Sequence, residues 1–110
     1  MSALYLMRYV GQTGTGTGVM FIGKGVVVGV DAGGNRYDGS YTESAGRIIG
    51  KVTMSVQPGT VLVTGQVVPQ AVFFELRIDW PSNFADGKPQ QVRIAGRPAA
   101  VLFEKLKDIP

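Results

Sequence analysis

The ten residues AVFFELRIDW, positions 71–80, decide the class of fold. Large apolar side chains stand at every second position, in the row Val72, Phe74, Leu76, Ile78 and Trp80. The charged residues Glu75, Arg77 and Asp79 alternate with the last four of them. Successive side chains of a β-strand point to opposite faces, so this period of two predicts a strand with one buried and one solvated face. Burying each large apolar side chain contributes about 1.5–3 kcal/mol, which holds the strand in one register.

The rest of the chain also consists of short segments rich in apolar residues, separated by tight turns. It contains 16 glycines and 6 prolines among many Val, Ile, Thr and aromatic residues, and no stretch has the pattern of a long amphipathic helix. A Gly/Thr turn covers residues 11–16, and a polar loop covers residues 81–89. The predicted strands are Ala3–Val10, Thr17–Gly23, Val26–Ala32, Arg36–Glu43, Arg47–Gln57, Val61–Val68, Ala71–Trp80, Gln90–Ala95 and Ala99–Leu106.

The short connections predict a meander, because a strand that follows a tight turn pairs with its predecessor. A flat meander of this length would leave two long unpaired edges, and closing the sheet into a barrel removes them. We therefore predict one all-β domain over residues 1–110, an antiparallel meander of about eight strands closed into a barrel.

The composition narrows the classes of function. The chain has no cysteine and no histidine, which removes disulfides, thiolate metal sites, and the commonest general base and metal ligand. No stretch has the features of a signal peptide or the roughly 20 apolar residues of a membrane span. We expect a cytoplasmic protein that binds a partner, with no catalytic residues, no cofactor and no metal.

Nucleic-acid binding is a minor alternative. The net charge is only +3, and the basic residues are scattered along the chain rather than clustered. A single-stranded nucleic-acid binder would need exposed aromatic side chains among basic ones, and Phe73 near Arg77 is the single local indication.

Several predicted strands are apolar on both faces, including residues 4–7, 19–22, 26–28 and 101–103. One face of such a strand can fill the barrel, and the other needs a cover. The low charged fraction of 17% points the same way. We interpret these strands as an interface for a second copy or a protein partner, so the chain is expected to form a homodimer. The alternative is that each strand is capped by its own loop.

Four aromatic residues are candidates for lining a ligand site. Tyr37 and Tyr41 point the same way on either side of Gly39, and Phe74 belongs to the apolar row of the seventh strand. Trp80 precedes Pro81 at a strand end, where it either closes the barrel or shapes the mouth of a pocket. The two tyrosines can equally cover a glycine at a bend of the strand.

Two further features bear on the interior. Asp31 directly precedes a glycine-rich turn, where its carboxylate can accept backbone amides in a structural role. An eight-stranded barrel can also hold one small apolar ligand, and small residues would leave room for it if they face inward. The candidates are Gly29, Gly39, Gly50 and Gly65.

The chain resembles the GrlR family over three segments. They are GTGVMFI at residues 16–22, GVVVGVD at residues 25–31 and YDGSY at residues 37–41. These small bacterial proteins are named for a negative regulator of type III secretion. The resemblance implies a calycin-like, lipocalin-like barrel that is usually a homodimer and binds or regulates other proteins. Val30 stands where the family usually has glycine, and the acidic loop by which the namesake is thought to engage its partner has no counterpart.

Overall fold

The computed structural model describes residues 2–12, 14–62 and 64–110, and these form a nearly closed antiparallel β-barrel. Thr13, in the predicted Gly/Thr turn, and Val63, in the predicted sixth strand, lie outside the described residues. The strands are β1 Ser2–Val10, β2 Thr15–Gly23, β3 Val26–Asp31, β4 Arg36–Ser44, β5 Arg47–Val56, β6 Thr60–Val61, β7 Val67–Val68, β8 Val72–Pro81, β9 Gln90–Ile94 and β10 Arg97–Asp108. In the described part of the chain, no helix is long and apolar enough to cross a membrane.

Eight strands form one sheet in the order β8-β5-β4-β3-β2-β1-β10-β9, which confirms the predicted all-β meander. The predicted alternation is also confirmed. Ile48, Val52, Met54 and Val56 of β5 are buried, and so are Leu76, Ile78 and Trp80 of β8, whereas the charged residues between them are exposed. The inward rows of the strands build one continuous core, so the barrel has a single hydrophobic interior.

The barrel closes as a meander predicts, because the first strand pairs with the last, but it stays open between two consecutive strands. Strands β1 and β10 pair from Ala3↔Asp108 to Val10↔Ala100, and this pairing joins the two ends of the chain. The consecutive strands β8 and β9 lie side by side, but no backbone ladder links them among the described residues. The Trp80 indole bridges this gap, with Nε1 donating to the Gln91 carbonyl oxygen at 3.2 Å. We call the gap between β8 and β9 the seam.

The prediction of one strand over Val61–Val68 is wrong. Two short strands, β6 and β7, pair as Thr60↔Val68 and Val61↔Val67. Gly65 lies in the turn between them with φ of 91°, a conformation that glycine adopts without steric cost. The reversal puts Leu62, Thr64 and Val68 in buried positions at one end of the barrel. This β6–β7 hairpin therefore plugs that end.

The predicted polar loop at residues 81–89 plugs the other end. Phe84 lies in this loop and its side chain is 0% exposed. Its ring centroid is 5.1 Å from that of Tyr5 and 5.2 Å from that of Phe103, and Trp80 packs 5.2 Å from Phe103. Tilted and edge-to-face aromatic pairs at such distances are favourable. We call these four residues the aromatic plug.

Candidate functional site

The four aromatic residues predicted to line a ligand site all face the barrel interior, at three levels. Tyr37 and Phe74 lie level with each other, because both pair with Met54 in the sheet. Tyr41 pairs with Gly50, and Trp80 pairs with Ile48, two residues nearer the start of β5. The structure therefore aligns only Tyr37 with Phe74, and the role of the four residues in binding a ligand stays a prediction.

The local surroundings of these residues are packed. Tyr37, Tyr41 and Trp80 are all buried, and Phe74 is partly buried against the core. Trp80 belongs to the aromatic plug and spans the seam, so it closes the barrel, one of the two roles predicted for it. The Tyr37 hydroxyl is held in a hydrogen-bond network at the opposite end.

The inward-facing glycines mark close backbone contacts. Gly29, Gly39 and Gly50 do lie on the inward rows of their strands. A Cβ on Gly39 would overlap the Lys51 carbonyl oxygen and lie 2.7 Å from the Cα of Val52. The space beside these glycines is thus occupied by the neighbouring strand, which lets the sheet bend tightly. Gly65 lies in the β6–β7 turn rather than in a strand.

Asp31 lies at the end of the barrel that the β6–β7 hairpin plugs, and it holds several segments there through hydrogen bonds. Its side chain is buried, and its carboxylate accepts hydrogen bonds from Gly33 N at 2.9 Å and Asn35 N at 3.1 Å. It also accepts from the hydroxyls of Tyr9, at 2.9 Å, and Tyr37, at 2.8 Å, and from Asn35 Nδ2 at 3.2 Å. This confirms that Asp31 holds the glycine-rich turn. The carboxylate is stabilised by neutral donors, as a buried charge requires.

The two tyrosines of this network stay protonated. Burial raises the pKa of Tyr37, and the nearby charge of Asp31 adds to the rise. Burial likewise raises the pKa of Tyr9, helped by its hydrogen bond to Asp31. Both hydroxyls therefore remain donors at neutral pH, which suits a structural network more than a catalytic one. Among the described residues, no group of three or more His, Cys, Asp and Glu side chains could hold a metal ion.

The outer face of β1, β2 and β3 carries a contiguous apolar surface. The sheet register aligns Leu6, Val19 and Val30 in one row across the three strands, and Leu4, Phe21 and Val28 in the next. Val26 extends the surface along β3. Val19, Val26, Val28 and Val30 are exposed, and Val28 is 51% exposed. We call these seven residues the β1–β3 face.

Charged residues border the β1–β3 face on both sides. On the β4 side, Arg36 continues the row of Val30 and Asp38 continues the row of Val28. On the β10 side, Glu104 continues the row of Leu6 and Lys107 the row of Leu4. An apolar centre with a charged rim is the usual anatomy of a protein–protein interface. Three of the four two-sided apolar segments, at residues 4–7, 19–22 and 26–28, thus place their second apolar side on one common surface, whereas Leu102 of the fourth pairs with Arg8 outside it.

Sequence reasoning missed three residues that matter for the two ends of the barrel. Phe84 was hidden in a polar loop, and its only signal was a lone aromatic residue among polar ones. Tyr9 and Asn35 were not linked to Asp31, although Asn35 ends the same turn. Asn35 Oδ1 also accepts from the amide of Gln57 at 3.2 Å, and this ties the turn to the segment after β5.

Comparison of the chain with protein-family profiles, curated proteins and solved structures finds no match. The resemblance to the GrlR family therefore rests on the quoted segments alone, and the barrel is compatible with the calycin-like fold that it implies.

Proposed function

We propose that the protein is a non-catalytic protein-binding module that forms a homodimer through the β1–β3 face. The observation that carries this proposal is the alignment of seven apolar side chains on the outside of three adjacent strands. Scattered exposed apolar residues are normal on a monomer, but a contiguous group with a charged rim is typical of an interaction site.

The size of the face sets what the interface must include. Three strands spaced about 4.8 Å apart and six residues long at about 3.4 Å each cover roughly 300 Å². A stable interface buries roughly 800 Å² on each partner. The apolar centre is therefore too small alone, and the contact must extend over the rim that carries Arg36, Asp38, Glu104 and Lys107. A rim with both signs of charge suits a self-complementary contact between two copies.

The resemblance to GrlR-type regulators supports a regulatory role for the module in a bacterial cytoplasm. The residues that carry the resemblance, 16–41, span β2, β3 and the first part of β4. Two of these strands build the β1–β3 face. The proposal therefore assigns dimerisation, which the resemblance implies, to the strands that also carry the resemblance.

The alternative function is carriage of a small apolar ligand inside the barrel. That function needs space among the inward rows. The aromatic plug and the β6–β7 hairpin cover the two ends of the core, and the inward glycines approach backbone rather than a cavity. A pocket of about 340 Å³ beside the hairpin reaches Met54, Leu62 and Ile94, and a small ligand would have to use it. This arrangement favours binding through the outside of the barrel.

Sedimentation velocity at micromolar concentration tests the proposal. The wild type should sediment as a dimer, and Phe21→Lys should sediment as a monomer because a lysine then lies on β2, in the centre of the apolar face. Ile49→Lys is the matched control, since Ile49 is 50% exposed but stands among polar residues on β5. A monomeric wild type, or equal dissociation of both variants, would refute dimerisation through this face.

A further inference from the structure

The seam leaves one edge of β8 without a backbone partner. β8 pairs along its whole length with β5, from Arg47↔Pro81 to Val56↔Val72. Its other edge faces β9, but within the described part of the chain no β8–β9 ladder forms. An unpaired strand edge presents rows of N–H and C=O groups that can pair with another chain. β9 lies too close to β8 for another strand to fit between them, so an extended segment can add only where β8 continues beyond β9.

The N-terminal half of β8 is the more open part of this edge. β8 has ten residues and β9 has five. The contact between Trp80 and Gln91 fixes where β9 begins, and Glu75 lines the same groove as Gly96 in the β9–β10 turn. β9 has thus ended by the level of Glu75. Residues 72–74 continue past the turn, with the Phe73 side chain 76% exposed on their outer side.

A groove of about 560 Å³ lies along the seam. Glu75 and Arg77 line it from β8, and Val92 and Arg93 line it from β9. Val92 is buried, so the groove reaches inward as far as this core residue. A ligand in this groove would meet the charged side chains of Glu75, Arg77 and Arg93.

The walls of the groove are basic. The Arg77 and Arg93 side chains form no ion pair with an acid among the described residues, and Arg93 Nη1 donates to the Gly96 carbonyl oxygen at 2.9 Å. The one acid in the lining, Glu75, has Lys51 4.0 Å away. The groove thus offers two uncompensated guanidinium groups, which favour an anionic ligand.

We propose that the seam groove binds an extended, acidic segment of a partner protein, which pairs as a strand with β8 where it continues beyond β9, at residues 72–74. Main-chain hydrogen bonds to β8 would hold the segment, and the two arginines would select acidic side chains. The sheet order places β8 four strands from β2, on the opposite side of an eight-stranded barrel. The seam can therefore be occupied while the β1–β3 face holds a second copy. The proposal of peptide binding does not depend on dimerisation.

Fluorescence anisotropy with a labelled ten-residue peptide of alternating Glu and Val tests the proposal. The acidic peptide should bind, and its Kd should rise with salt because the contacts are charged. A peptide with Lys in place of Glu should not bind. The acidic peptide with N-methylated backbone amides should also fail, because it cannot form the main-chain ladder. Equal binding of the N-methylated peptide would overturn strand addition.

Two arginine variants and a matched control locate the site. Arg77→Ala and Arg93→Ala should each raise the Kd by about two- to five-fold, the range of one exposed charge contact. Arg8→Ala removes an exposed arginine from β1, away from the seam, and should leave the Kd unchanged. An equal rise of the Kd in all three variants would indicate non-specific electrostatic attraction and would contradict the proposal.

Hydrogen exchange and a competing polyanion complete the test. Amides on the unpaired edge of β8 should exchange more slowly when the acidic peptide is bound. A single-stranded oligonucleotide should not displace the peptide. Binding of the oligonucleotide but not of the peptide would replace the proposal with nucleic-acid binding. Sedimentation reports the dimer separately, so failure of one proposal is distinguishable from failure of the other.

Discussion

The hydroxyl of Tyr37 lies 2.8 Å from Oδ2 of Asp31 and donates a hydrogen bond to it across the β3–β4 hairpin. The Tyr9 hydroxyl on β1 reaches the same oxygen at 2.9 Å. One buried carboxylate therefore ties together three strands and a turn. This link makes Asp31 a structural centre of the barrel end that the β6–β7 hairpin covers.

We expect Asp31→Asn to destabilise the protein by about 2–4 kcal/mol. The variant puts an amide NH₂ or a neutral oxygen where several donors converge, so at least one buried donor loses its partner. Urea unfolding followed by circular dichroism measures the change. Asp38→Asn, at an exposed position on β4, should change the stability by no more than about 0.5 kcal/mol. Equal losses for the two variants would contradict a special role for Asp31.

The raised pKa of Tyr37 predicts a loss of stability at high pH. A tyrosine in the unfolded chain ionises near 10.0, whereas burial and Asp31 hold the proton on Tyr37 above that value. The folded state then binds more protons at Tyr37 than the unfolded state, so the contribution of Tyr37 to stability is fully present below about pH 9 and is lost as the pH rises above 10. The contribution of Tyr37 approaches about 1.4 kcal/mol per pH unit.

Urea unfolding of the wild type and of Tyr37→Phe between pH 8 and pH 11.5 measures this slope. The variant should be less stable than the wild type at pH 8, where the hydrogen bond to Asp31 is intact. Its stability should fall less steeply above pH 10, because it lacks the group that resists ionisation. Parallel curves for the two proteins would show that Tyr37 does not carry the effect.

Phe84→Ala should cost about 3–5 kcal/mol, because it removes a fully buried ring from the aromatic plug. Thermal or urea unfolding measures the loss, and Trp80 fluorescence should change because the two rings lie 5.9 Å apart. Phe73→Ala is the control, since most of that ring is exposed. A Phe84→Ala protein as stable as the Phe73→Ala protein would mean that the loop does not plug the barrel.

Gly50→Ala should destabilise the barrel by about 1–3 kcal/mol or more. An added Cβ would overlap the Ser40 carbonyl oxygen and approach the Cα of Tyr41 to 2.7 Å, and backbone in a sheet cannot move aside cheaply. Gly14→Ala adds the same methyl group where no atom lies within 4 Å. Urea unfolding of both variants tests this prediction. Equal free energies of unfolding for Gly50→Ala and Gly14→Ala would contradict it.

The strands and their faces were predictable because they depend on local pattern. The alternation in β5 and β8 is visible in the chain, and each predicted strand except the sixth matches an observed one within a few residues. Tyr37, Tyr41, Phe74 and Trp80 lie on inward rows for the same reason, and their role as a ligand site stays a prediction. The sixth strand failed because Val61 and Val67 have the composition of a strand while the turn at Gly65 breaks it.

The sequence by itself determined that the chain is a β-barrel with one apolar interior, since a period of two is a property of neighbouring residues. Only the tertiary structure decided where the barrel closes, which side chains plug its ends, and which apolar residues share an outer face. Those features join residues far apart in the chain, such as Tyr5 with Phe84 and Leu6 with Val30. Strand register and barrel curvature bring them together, and neither is encoded in a short stretch of residues.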